Sequence, residues 1–440
     1  MERKLAKKRG KLVASWSRVY ILLNYYASLD LNKRTSLPKS NLLNTLVMTV
    51  FISLLQGALI QNTFAQPQIS DPQLRVDIVA KGLISPTTMA FLNGTDILVL
   101  EKDGNVRRVT DGILQEKPVL HVKVQTESER GLLGIAANDK DVFLYLTEPL
   151  ASGDSVKNRI YKYHWNGAEL TDPSMILDLP GLPGPNHDGG KLLIGPSPNE
   201  TGRYLYAVIG DLNHDGKLQN FKDGPEPDNT SVIFRVNPND GSAPKGNPFS
   251  NDNATSRYWA YGIRNTFGLA IDPITHILWA TENGPDQYDE INIVKPGFNS
   301  GWQAVMGPIS REGKTESDLV KLPGSHYSDP LLSWKAPPAL TGIEFLNSSK
   351  LGAKYTNNIF VGDYNGGNLY FFQINDRRND LKLDKFGSAL SDRVVDNNQE
   401  FAPIIFGTGF GGITDIQSGP DGFLYILSIG DGAIYKIMPV

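Results

Sequence analysis

The chain has 440 residues, 40% of them apolar and 20% charged, with 43 Gly, 28 Pro and no Cys. This composition excludes wholesale disorder, disulfides and thiolate metal sites, and the length suits one large all-β domain plus a leader. The net charge of −4 is uneven: residues 1–65 hold ten Lys/Arg against two Asp/Glu, while the rest hold 33 Lys/Arg against 45 Asp/Glu, an acidic body that argues against a nucleic-acid partner.

The first 65 residues read as an address. Lys4, Lys7, Lys8, Arg9 and Lys11 open the chain, and Lys33, Arg34 and Lys39 follow. An uncharged, mostly apolar run then covers 42–60, and Thr63-Phe64-Ala65 places small residues at −3 and −1 of a cleavage site. The pattern predicts a signal peptide, or an uncleaved anchor, since the run is long enough to span a bilayer. The positive-inside rule puts the body outside the cytoplasm, secreted or anchored to the outer face of the membrane, with the leader as its only membrane contact. Five Asn-x-Ser/Thr sequons, at Asn93, Asn199, Asn229, Asn253 and Asn347, are compatible with export.

From about residue 70 a β unit repeats: a Gly-containing lead, an apolar strand, a turn, a second strand ending near Gly or Asp, and a third strand. Six copies start near 82, 131, 189, 262, 342 and 412. Their strands read at 97–100 and 106–109, 142–146 and 159–163, 204–209 and 232–236, 277–281 and 290–294, 358–361 and 368–372, and 423–427 and 433–437. One unit cannot bury both its faces, whereas six around an axis can, and they leave an axial mouth. The expectation is an all-β, six-bladed β-propeller over 70–440, preceded by the hydrophobic leader. A strand at 74–80 is expected to pair with the last unit and close the ring. A parallel β-helix and a two-sheet sandwich are the rival folds.

Three segments carry candidate chemistry. His187 sits in Gly184-Pro185-Asn186-His187-Asp188-Gly189-Gly190, a loop that places an imidazole at a strand entry. A neutral imidazole there can take a proton, and Asp211, at the end of the next strand, could fix its tautomer. A solvated loop His is the plain alternative. Asp211-Leu-Asn213-His-Asp215-Gly216 begins like a calcium loop, but Lys222 stands where the twelfth-position Glu is expected, so an Asx-rich turn is the alternative. In Glu282-Asn283-Gly284-Pro285-Asp286-Gln287-Tyr288-Asp289-Glu290, carbonyls at a Gly-Pro turn beside four carboxylates suit a hard cation, or else form a solvated turn. Arg264-Asn265, after Trp259-Ala-Tyr-Gly-Ile, can polarise a carbonyl or bind a carboxylate.

Taken in order over about 75–440, these segments resemble the soluble quinoprotein glucose/sorbosone (aldose sugar) dehydrogenases. The resemblance rests on Arg130-Gly-Leu-Leu-Gly134, His187-x-Gly189-Gly190-x-Leu192, Gly210-Asp211, and Tyr261-Gly-Ile-Arg264-Asn265-Thr-Phe-Gly268. Glu282-x-Gly284-Pro285…Asp289-Glu290, Gly301-Trp302 and Gly419-Pro420-Asp421-Gly422 extend it. It implies an enzyme that oxidises the anomeric hydroxyl of an aldose to a lactone with pyrroloquinoline quinone (PQQ) and calcium. His187 would take the hydroxyl proton, Asp211 would orient it, and Arg264 and Asn265 would stabilise charge on the quinone. Carbonyls of Gly284 and Pro285 would hold calcium, with Glu282, Asp289, Asp211 and Asp215 as weaker ligand candidates. An external acceptor would reoxidise the cofactor.

The chain departs from the family pattern at three cofactor-binding positions. Glu129 replaces a Gln, Asn365 stands where a Lys is expected, and Thr414 lies where an Arg-x-Arg is expected. PQQ carries three carboxylates, and each lost charge-assisted pair costs about 1.5–3 kcal/mol. Lys191, Arg130 and Arg393 are candidate replacements. Two other readings follow from the same scaffold: an extracellular glycan- or protein-binding propeller without PQQ, and a calcium-dependent, lactonase-like hydrolase.

Overall fold

The structure, a computed structural model, describes residues 66–440 apart from 152–154, 199 and 250–253. The expected leader and the sequons at Asn199 and Asn253 lie outside the described residues. Among the described residues no helix is long and apolar enough to cross a membrane.

Short strands bounded by Gly, Asn and Asp turns assemble into six sheets in a β-propeller arrangement. Their first strands in chain order are Pro86–Phe91, Leu132–Asn138, Leu192–Pro196, Gly268–Ile271, Leu340–Phe345 and Ile413–Ser418. Each packs against the first strand of the next sheet, and the last packs back on the first, so these strands line the axis. The expected ring closure is present. Leu74–Lys81 pairs antiparallel with Ala433–Pro439, so chain segments from both ends of the described region share one sheet.

The core explains why the sheets close on one another. Apolar side chains alternate to both faces of each sheet, and six of the seven clusters among the described residues each fill the wedge between two neighbouring sheets. In the strand Asp96–Glu101 every residue is buried, as a strand covered on both sides requires. Trp279 and Trp334 are completely buried in one wedge. Truncating either to Ala would cost about 3–5 kcal/mol.

Near the axis the sheets are also latched by hydroxyls. Thr87 and Thr88 donate to the carbonyls of Leu132 and Leu133 at 2.9 and 3.1 Å, and Thr341 donates to Ile413 O at 2.6 Å. These bonds tie the first strand of one sheet to the first strand of the next. Two glycines of the second and third sheets are needed for closeness. A Cβ on Gly134 would lie 1.9 Å from Gly190 O, and one on Gly190 would meet Leu133 Cβ at 2.5 Å. The Gly-Leu-Leu-Gly and Gly-Gly motifs therefore bring the His187 loop against the second sheet.

Candidate active site

A cavity of about 690 Å³ opens where the first strands begin, and every sheet contributes to its wall. Thr87, Leu133, Lys191, Phe267, Thr341 and Thr414 come from, or directly precede, the six axial strands. His187, Glu129, Arg264, Asn265, Asn283, Gly284, Pro285, Asp289 and Asn365 line it as well.

His187 is held from behind. Its backbone is left-handed at φ 64, and the residue lines the cavity. Nδ1 lies 2.6 Å from Asp211 Oδ1, and both groups are buried. Asp211 is itself saturated: Oδ1 also accepts from Asn213 N at 2.7 Å, and Oδ2 accepts from Trp302 Nε1 at 2.6 Å. An ionised aspartate can only accept, so His187 donates from Nδ1 and keeps its proton-accepting lone pair on Nε2.

Glu129 connects three sheets. Its Oε2 accepts from His187 N and from Asn265 Nδ2, each at 2.8 Å. Arg264 stands beside them, its carbonyl accepting from Asp211 N at 2.9 Å. Its Nη1 donates to Asn283 O at 2.9 Å, and its guanidinium stands 5.2 Å from the Trp302 ring centroid. Trp302 thus braces the orienting acid through its N–H and the guanidinium through its face. Glu282 accepts from Arg264 N at 2.7 Å and from the Ser300 hydroxyl. Burial raises Glu282, and Glu290 directly across the strand pair, well above the usual carboxylate range.

The cation candidates separate on inspection. Gly284 and Pro285 line the cavity with Asp289, but both Asp289 oxygens are engaged, by Gly284 N and Leu340 N at 3.0 Å each. Burial pushes the Asp289 carboxyl up to about 6. Its role here is to shape the Gly-Pro turn. Glu282 sits behind Arg264, and Asp211 is committed to His187, so neither presents an oxygen to the turn. Asp215 is exposed and outside the cavity wall, bonded to Gln303 Nε2 at 3.3 Å. The 211–216 segment is thus an orienting turn for His187, because its first acid faces the imidazole. Among the described residues no three His, Asp or Glu side chains cluster as a metal site. Backbone carbonyls at Gly284 and Pro285 remain the donors that suit a hard cation.

The replacement cations separate too. Lys191 lines the cavity and pairs with buried Asp415 at 2.5 Å. Arg130 is buried outside the wall, donating to Gly181 O at 2.7 Å. Arg393 pairs with Asp380 at 2.6 Å, also outside the wall. Asn365 and Thr414 do line the cavity, but as neutral groups, Asn365 reaching Pro337 O and Thr414 reaching Pro86 O at 3.2 Å. Sequence reasoning missed Lys102, which also lines the cavity, and the bracing role of Trp302. Both are distant in sequence from His187, and the signature Gly301-Trp302 was the one available signal for the latter.

The wall also carries unsatisfied groups. Asn265 Oδ1, Asn283 Oδ1 and Arg264 Nε are buried without a protein partner. Buried polar atoms are normally paired, so these three, on residues that line the cavity, are available to bond a ligand there. A planar ligand with several carboxylates and carbonyls fits a cavity of this size lined by Lys102, Lys191, Arg264 and three amides.

The sequence profile of the Glucose / Sorbosone dehydrogenase family matches residues 83–436. The aldose sugar dehydrogenase YliI of Escherichia coli is 26% identical over 381 residues, covering 83% of this chain and 93% of its own. Quinoprotein glucose dehydrogenase B of Acinetobacter calcoaceticus is 27% identical over 258 residues, 52% of each chain. Among solved structures, an oxidoreductase of Thermus thermophilus, provisionally assigned as a glucose dehydrogenase, aligns with a TM-score of 0.64 at 26% identity. That alignment covers 83% of this chain and all of the other. With the fold, the cavity and these relatives in agreement, the chain belongs to the glucose/sorbosone dehydrogenase family.

Proposed function

We propose that this protein is an exported quinoprotein sugar dehydrogenase. In this reading each of the six sheets is one blade, and the axial cavity oxidises the anomeric hydroxyl of an aldose to a lactone. PQQ supplies the hydride acceptor when bound, with calcium held by the Gly284 and Pro285 carbonyls. The leader carries the body out of the cytoplasm, and an external acceptor takes the electrons.

The observation that carries the reading is the His187–Asp211 pair on a cavity wall shared with Arg264 and Asn265. His187 Nε2 takes the proton of the C1 hydroxyl while the C1 hydrogen leaves as hydride. Asp211 stabilises the imidazolium that forms, and Trp302 and Asn213 keep the carboxylate from turning away. Arg264 offers positive charge where negative charge develops. Glu129 holds the His187 backbone and the Asn265 amide in mutual register. The neutral Asn365 and Thr414 are the feature that favours a binding propeller without PQQ.

The test is reconstitution of purified protein with calcium and PQQ, followed by dye reduction with a panel of aldoses. The reading expects aldose-dependent reduction that is lost in His187→Ala and on chelating divalent cations. No PQQ uptake at micromolar concentration would discard it. Lactone hydrolysis without quinone would instead support the hydrolase.

A further inference from the structure

We infer that Lys102 is the side chain that receives a carboxylate of the cavity's ligand, replacing the basic groups that Asn365 and Thr414 do not supply. The inference rests on the quinone reading above. Lys102 directly follows the strand Asp96–Glu101 and lines the cavity on the side of the first sheet. Its Nζ donates to Ser128 O at 2.5 Å and Thr126 O at 3.1 Å. An ammonium has three donors, so one remains for a ligand. Among the described residues no carboxylate pairs with it.

The position is built. A Cβ on Gly131 would lie 2.7 Å from both Lys102 Cγ and Lys102 O, so this glycine leaves the space in which the lysine stem runs. The carbonyls that hold the ammonium belong to the turn before Glu129, where Ser128 is left-handed at φ 51. The Ser128 hydroxyl bonds Asn186, and Glu129 bonds His187 N, so the charge is fixed relative to the imidazole.

Of the other two cations of the wall, only Lys191 is matched by a carboxylate, while Arg264 is fixed at the reacting end of the cavity. Lys191 is matched by Asp415 within a buried pair. Arg264 bonds the Asn283 carbonyl and lies against Trp302. Lys102 therefore contributes unmatched positive charge, and a ligand carboxylate would form a charge-assisted bond to it.

Equilibrium titration of PQQ into calcium-loaded protein, followed by quenching of tryptophan fluorescence, tests this without turnover. Lys102→Gln is expected to bind about tenfold more weakly or worse, and Lys102→Arg within about threefold of wild type. Lys102→Met, which keeps the stem against Gly131, should show the same loss as Lys102→Gln. Wild-type affinity should also fall more steeply with salt than that of the neutral variants. Thermal unfolding of the ligand-free variants reports whether the fold is kept. Neutral variants that bind PQQ as tightly as wild type, with the same salt dependence, would overturn the inference and leave the quinone reading standing. A wild-type protein that takes up no PQQ would overturn both.

Discussion

Replacing Asp211 by Asn changes almost nothing in shape and nearly everything in hydrogen bonding. The carboxylate now accepts three bonds, from His187 Nδ1, Asn213 N and Trp302 Nε1, all within 2.7 Å. An amide offers one oxygen and one NH2. If the oxygen stays with His187 and Asn213, the NH2 faces the indole N–H, and a buried donor loses its acceptor. If the amide flips, its NH2 faces His187 Nδ1, which must then carry its proton on Nε2, the atom required to accept one. Either arrangement costs about 1–3 kcal/mol of stability through the unpaired group. Both remove the charge that stabilises the imidazolium, so turnover should fall about 10²–10⁴-fold with a smaller effect on KM. The assay is dye-coupled initial rates at saturating aldose across pH 5–9, with urea unfolding of both proteins. Turnover within about threefold of wild type, at unchanged stability, would refute the assignment of Asp211 as the orienting acid.

Asp188 gives a pH test of the fold beside the site. It is fully buried, accepts from Asn158 Nδ2 at 2.9 Å, and burial pushes it up to about 6. A raised carboxyl favours the protonated folded state, so its contribution is full below about pH 4 and is lost as pH rises through about 6. The loss is on the order of 3 kcal/mol. Asp188→Asn should therefore gain stability over wild type at pH 8 and match it near pH 4, as read by urea unfolding at the two pH values; a pH-independent difference would contradict this. Glu129→Ala should cost about 2–4 kcal/mol, because His187 N and Asn265 Nδ2 both lose their acceptor, whereas Glu129→Gln keeps one oxygen for both and should stay within about 1 kcal/mol. Equal stability of the two variants by thermal unfolding would count against the bridging role.

The sequence is informative where one segment decides the outcome locally. Ring closure by 74–80 follows from apolar alternation and appears as the pairing of Leu74–Lys81 with Ala433–Pro439. His187 and Asp211 lie at the same end of adjacent strands, so strand length alone brings them together. Asp215 fails for a related reason: an Asx-rich spacing describes a turn equally well, and the outcome depends on which groups the acids face. The bracing role of Trp302 and the placement of Lys102 are hidden for a different reason. Trp302 is 91 positions from the carboxylate it braces, and only the closing of the ring brings it there. Lys102 is called into the cavity by carbonyls of a turn 24 and 26 residues later, a contact with no local signature. Charges lost at Asn365 and Thr414 can be read from the chain, but the place of their replacement depends on the closed ring.

The most direct measurement mixes PQQ-loaded protein with an aldose in a single turnover and follows the absorbance of the bound quinone. The account predicts that the quinone is reduced, more slowly when C1 carries deuterium, and that His187→Ala binds PQQ yet leaves it oxidised. A bound quinone that stays oxidised with every aldose, or one reduced at the same rate without His187, would contradict it.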